Sequence, residues 1–181
     1  MTLNSNNMKK LILTIPFLFI LAALSSAEEQ CFPGQKEIKS PTGKFALVTK
    51  GDGYEIYLGK DSGDEPRKIM EFERSVCALW SPDEKYLAVT NYVGSNVSEV
   101  LIFDTGMPDN SLNVYDIIPP GVQKLTSDSI NSYLEAVRWN KNELVVKASG
   151  MRTNAPREFD VLFACVISGG EWTCVDKTEK E

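Results

Sequence analysis

The chain has 181 residues, 43% of them hydrophobic, with 19 Lys and Arg against 25 Asp and Glu, no His and a formal net charge of −6. The acidic balance excludes nucleic acid and anionic membrane as general partners, and the absence of histidine excludes Ser-His-Asp and Cys-His nucleophiles and His-ligated zinc. No G-x-G-x-x-G, P-loop or EF-hand spacing occurs, so neither a cofactor nor a metal ion is expected.

Residues 1–27, MTLNSNNMKKLILTIPFLFILAALSSA, set a basic pair, Lys9 and Lys10, before an apolar stretch from Leu11 to Leu24 and small residues ending at Ala27. That is the pattern of a cleaved secretory signal peptide, and the apolar stretch is shorter than the ~20 residues a bilayer-spanning helix needs. Met8 opens a more compact form of the same leader, so a start at Met1 or at Met8 gives one mature chain. Cys31 follows Glu28, Glu29 and Gln30, whereas a lipid-modified cysteine follows small or apolar residues, so no lipid anchor is expected. Cleavage near Ala27 leaves 154 residues with 17 basic and 25 acidic side chains, net −8, as a single domain over residues 28–181. No later stretch is long and apolar enough to span a membrane, so the expected product is periplasmic or secreted, with no membrane insertion.

Beyond the leader the chain repeats itself. SPTGKFALVT, Ser40 to Thr49, aligns on SPDEKYLAVT, Ser81 to Thr90, with five identities in ten residues at a spacing of 41. Each copy is a polar turn followed by an apolar run, then a further turn and a β-prone run, YEIYL (Tyr54 to Leu58) and EVLIFD (Glu99 to Asp104). A looser third copy, AVRWNKNELVVKAS from Ala136 to Ser149, puts Trp139 in the place of Trp80, 59 residues on. The extra length is mostly Pro119 to Ser132, where Ile130, Tyr133 and Leu134 have helical spacing and suggest a short helix. Three units follow, roughly Gln35 to Phe72, Ser75 to Ile118 and Tyr133 to Lys177, each offering four short strands. Continuous runs such as FALV, YLAV and LVV read as strands buried on both faces.

A period near 40 with four strands per unit is the pattern of propeller blades, and WSPDEKYLAVT followed by SEVLIFD resembles the TolB-type, WD-like β-propeller repeat. The resemblance implies an all-β fold of three four-stranded antiparallel blade-like sheets, and it implies little about function, because this fold hosts enzymes, scaffolds and receptors alike. The family's Asp-Gly turn is Asp83-Glu84 here, and Lys39 stands where the other units have Trp80 and Trp139. Three blades fall short of a closed propeller, so an incomplete propeller or sandwich-like arc is expected. Its two outer faces need cover, from a rearrangement within the chain, a partner protein or a homodimer closing six blades.

In a four-stranded meander the second turn and the connection to the next unit lie at one end. That gathers NYVGSNVS (Asn91 to Ser98), Pro119 to Ser132 and GMRTNAPRE (Gly150 to Glu158), with Tyr92, Asn96, Arg152, Asn154 and Arg157 as candidate binding residues. Aromatic, amide and Arg side chains suit a protein loop or a polar or anionic ligand of the cell envelope, so the expected function is a binding or interaction module. The alternative is a carboxylate-dependent hydrolase acting on carbohydrate, which needs two acids facing one another across a cleft. Asp52, Asp61, Asp64, Glu65 and Asp83 fall in turns, where solvated acids are the ordinary case, so no catalytic residue is assigned. The Asp61 to Glu65 cluster reads as a hairpin loop rather than a cation site, and the Asn96 to Ser98 glycosylation sequon as incidental.

Four cysteines in an exported chain allow three pairings. Gly169-Gly170 is a two-residue hairpin turn; counting outward pairs Ser168 with Glu171, Ile167 with Trp172, Val166 with Thr173 and Cys165 with Cys174. A hairpin slipped by one residue would send the two sulfurs to opposite faces. With the first bridge so placed, Cys31 pairs with Cys77 by elimination, tying the mature N-terminus to the second unit.

Overall fold

The computed structural model describes residues 30–153 and 158–177. The proposed leader, Asn154 and Arg157 lie outside the described residues. The first repeat unit is a four-stranded antiparallel sheet, β2 (Glu37–Lys39), β3 (Phe45–Lys50), β4 (Glu55–Lys60) and β5 (Arg67–Glu71), in chain order. A second, nine-stranded sheet begins with β1 (Gln30–Phe32) beside β6 (Ser75–Trp80), β7 (Tyr86–Tyr92) and β8 (Val97–Asp104). It continues through β10 (Ser129–Asn140), β11 (Glu143–Arg152), β12 (Glu158–Ser168) and β13 (Glu171–Asp176), with β9 (Ser111–Asn113) paired to part of β8. Among the described residues one α-helix, α1 (Pro120–Ser127), lies between β9 and β10, after a single 3-10 turn at Val114–Asp116.

The all-β expectation therefore holds, but three separate four-stranded sheets do not form, and neither does a closed propeller. The reason is local. β10 starts at Ser129 and runs parallel to β8 for two residue pairs, Ser132 with Val97 and Tyr133 with Ser98, which fuses the second and third units into one mixed sheet. The helix is also displaced from its expected place. Pro120 at the first helical position suits a helix start, and Val122 is buried, whereas Ile130 to Leu134 belong to β10. A register shift between Ser129 and Asn131 leaves Ile130 as the extra residue, 59% exposed, so its spacing from the buried Leu134 mimicked a helical face without the two sharing one.

Two cores result. Ile38, Phe45, Leu47, Ile56 and Leu58 of the first sheet share one with Ala78, Trp80, Leu87, Val89 and Phe103. Leu79, Ala88, Val100 and Ile102, on the alternate positions of the same strands, share the other with Leu134, Leu144, Val146, Ala148 and Phe163. The β6 and β7 runs are thus buried on both faces, as YLAV implied, because they have a neighbour on each side. FALV is different: Phe45 and Leu47 are buried while Ala46 and Val48 are half-exposed, since among the described residues no element packs on the outer face of the first sheet. The same asymmetry explains Lys39. Trp80 stacks on Phe45 of the preceding unit at 6.1 Å, and Trp139 reaches back to donate its indole N–H to the Leu79 carbonyl at 3.0 Å. Lys39 has no preceding unit to face and is exposed.

The repeated turn is one hydrogen-bonded device built twice. Ser40 Oγ accepts from Phe45 N at 3.0 Å and Ser81 Oγ from Tyr86 N at 2.9 Å. The backbone closes equally, with Gly43 N donating to Ser40 O and Glu84 N to Ser81 O, both at 2.9 Å. Gly43 takes φ 78° and Glu84 takes φ 58°, a left-handed conformation that costs a non-glycine residue about 1 kcal/mol. The buried Glu84 carboxylate offsets that cost by accepting from Thr42 N at 2.5 Å and Thr42 Oγ1 at 2.7 Å. The second turn is thereby fastened to the first, across the two sheets.

Both expected disulfides form. Cys165 pairs with Cys174 in the counted register, with Gly169 and Gly170 at φ 61° and 89° as a primed turn demands. Cys31 pairs with Cys77 across β1 and β6. Both Cα separations are 4.0 Å.

Candidate functional site

The three long elements singled out in the sequence do meet at one end of the β10–β11–β12 region. Asn96 O accepts from Ser132 N at 3.0 Å, Arg152 lies opposite Ser129, and Thr153 N donates to Asp128 O at 3.3 Å. Of the candidate residues, Asn96 is exposed in the β7–β8 turn. Tyr92 is half-buried, and its hydroxyl donates to Glu135 Oε1 at 3.3 Å; Glu135 Oε2 also holds Lys147 at 2.7 Å. Arg152 does not join them. Successive strand residues point to opposite faces, so with Met151 on the outer face Arg152 turns inward, 3.7 Å from Asp128.

What the outer face does present is a concavity of about 540 Å³, lined among others by Asn131, Tyr133, Ser149, Met151, Glu158 and Asp160. Tyr133, Ser149 and Asp160 form one cross-strand row, and Asn131, Met151 and Glu158 the next. The site depends on Gly150. A Cβ there would stand 2.3 Å from the Asn131 carbonyl oxygen and 2.9 Å from the Phe159 ring, so only glycine lets the bulged start of β10 lie this close to β11. Asn131 Oδ1 secures the bulge by accepting from Met151 N at 2.6 Å, and the Tyr133 hydroxyl donates to Ser95 O at 2.9 Å. Glycine inside a strand is the sequence signal of such a close approach, yet Gly150 read only as the start of a loop.

Beside this site, at the fork where β9 leaves β8 and β10 joins it, Glu99 accepts from Asn91 Nδ2 at 2.9 Å and Asn113 Nδ2 at 2.6 Å. Tyr115 OH and Ser132 Oγ lie 3.1 Å apart; burial, outweighing that hydrogen bond, holds the phenol above its ordinary value. Ser98 of the sequon is buried and donates to Leu134 O at 2.8 Å, so the residue has a structural use.

A second concavity, about 550 Å³, lies at the β4–β5 and β8–β9 turns, between Lys60, Asp64, Glu65 and Arg67 on one side and Thr105, Gly106 and Pro108 on the other. Asp64 and Glu65 are neighbours on a single turn, as Glu158 and Asp160 are neighbours on a single strand face. In neither concavity do the lining acids come from opposite walls.

Among the described residues no helix is long and apolar enough to cross a membrane, and no group of three or more acids and cysteines has the geometry of a metal site. No family model matches the chain, and no curated protein matches it either.

Proposed function

We propose that the chain is an exported binding module, an open arc of three blade-like units that captures a partner on the outer face of β10–β12. The observation that carries this reading is the concavity beside Gly150, flanked by apolar side chains, Ile130 at 59% and Met151 at 39% exposure, that a free surface has no need of. The repeated turns and the two-sided burial of β6 and β7 support the blade reading, in keeping with the resemblance to TolB-type repeats. Two disulfides support export to an oxidising compartment. Among the described residues neither concavity sets two acids on opposite walls, as the hydrolase alternative needs.

The test is capture from a native envelope extract by the purified domain, compared with the Ile130→Ser, Met151→Ser double variant. Both side chains are exposed, so the fold should be unaffected and the captured partner lost. Equal capture by the variant refutes the site.

A further inference from the structure

Of the occupants expected from the sequence, a protein loop or a polar or anionic ligand, the charge of the site points away from an anionic one. Of the two arginines expected to serve it, Arg152 faces Asp128 on the inner side and Arg157 lies outside the described residues; Lys147, on the outer face, is held by Glu135. Among the described residues neither Lys nor Arg lines the concavity, while Glu158 and Asp160, both exposed, project from one face of β12. Neither takes part in an ion pair among the described residues. The second concavity differs, since its acids share the lining with Lys60 and Arg67.

Around the two carboxylates the surface is apolar and aromatic. Met151 sits beside Glu158 in register and Tyr133 lies in the row of Asp160, while Phe159, between the two acids, turns to the inner face and packs on the core. Ile130, the bulge residue next to Asn131, is exposed as well. Carboxylates recognise ammonium and guanidinium groups through charge-assisted hydrogen bonds, aromatic faces attract the same cations, and the apolar surround calls for an apolar side chain next to the charge. Three strands wide and open, the concavity fits an extended segment better than an enclosed small molecule.

Resting on the reading of this face as a binding site, we infer that its occupant is a basic peptide segment of a partner protein, with Lys or Arg interleaved with apolar side chains. The cations sit on Glu158 and Asp160, and the apolar residues lie on Met151 and Ile130. The net charge of the mature chain draws such a segment in over a longer range.

The probe is a synthetic octapeptide of alternating lysine and leucine, titrated calorimetrically into the full mature domain beside a glutamate-and-leucine counterpart and spermidine. The expected result is binding of the lysine peptide alone, weakened roughly tenfold by Glu158→Gln with Asp160→Asn, the order expected for losing charge-assisted contacts. Asp64→Asn with Glu65→Gln, which removes the same charge at the other concavity, should change nothing. Equal weakening by that remote pair means a field effect without a site and overturns the inference, as does equal binding of the acidic peptide, of spermidine, or of no probe. If Ile130→Ser with Met151→Ser abolishes peptide binding while the Glu158 and Asp160 pair does not, the site stands and the inferred charge of its occupant falls.

Discussion

Glu84 shows how one side chain settles a conflict between backbone and environment. Burial pushes its carboxyl up, but the hydrogen bonds from Thr42 and Ser40 and the nearby Lys44 charge outweigh this and hold it below the usual 4.5. A depressed folded value stabilises the native state above the ordinary carboxylate range and ceases to do so as pH falls through the folded value. Urea midpoints at neutral and acid pH should therefore fall further for the native chain than for Glu84→Gln. Glu84→Gly, which restores the glycine usual in such turns, relieves about 1 kcal/mol of backbone strain but removes charge-assisted bonds of about 1.5–3 kcal/mol. It should lower the urea midpoint, and a raised midpoint would show that the contact with Thr42 contributes little. Gly150 is the converse case, a residue whose lack of a side chain is the requirement. Gly150→Ala should cost about 1–3 kcal/mol by overpacking and shift the amide resonances of Asn131 and Met151; an unperturbed spectrum would mean that the bulge yields freely.

Among the elements, β1 and the β12–β13 hairpin are each closed by a cross-strand bridge, but the two bridges do different work. Cys165 and Cys174 are nine residues apart on a hairpin that its Gly-Gly turn already specifies, whereas Cys31 and Cys77 are 46 apart and hold a three-residue strand at the edge of the sheet. In the chain-entropy model the long loop contributes about 4 kcal/mol and the short one about 2.5. Paired Cys→Ser variants in separate proteins should lose stability in that order, read as guanidinium midpoints. The reverse order would mean that β1 stays docked on Phe32 and its neighbours without a covalent tie. β10 carries the other lesson at this scale. Its bulge at Ile130 and its short parallel pairing with β8 decide both the joining of two units and the opening of the concavity, and each depends on contacts with strands twenty or more residues away in sequence.

At the scale of the molecule, the outer faces at both ends carry solvated charges, and the far one carries the apolar rim of the concavity as well. The outer face of the first sheet carries Lys68 bonded to both Glu55 and Glu71, with the Lys50 ammonium 4.3 Å from the centre of the Tyr57 ring. These bonds raise the lysine above its ordinary value and lower Glu55 below its own. The far face of the third unit carries the Glu135–Lys147 pair, Ser149 and Asp160. Stacked repeats end in units with a polar outer surface for the same reason: a face without a neighbour must be solvated. A six-bladed dimer would have to desolvate these charges. The mature domain should accordingly run as a monomer in light scattering, and a concentration-independent dimer would mean that these faces desolvate more readily than their ion pairs suggest.

How much of this was present in the sequence follows from which interactions are local. The repeat of Ser40 and Ser81 encodes a turn whose hydrogen bonds close within five residues, and the register of Cys165 on Cys174 follows from counting out from Gly169-Gly170. Both were therefore legible without a fold, and the two-sided burial of YLAV was legible from its unbroken apolar run. The joining of β10 to β8, the inward turn of Arg152 and the negative sign of the concavity were not. Strand alternation sends each side chain to one face or the other, and a single bulge at Ile130 resets that parity for everything read across it. Which residues share a surface is thus decided by long-range pairing, and only the tertiary structure fixes that.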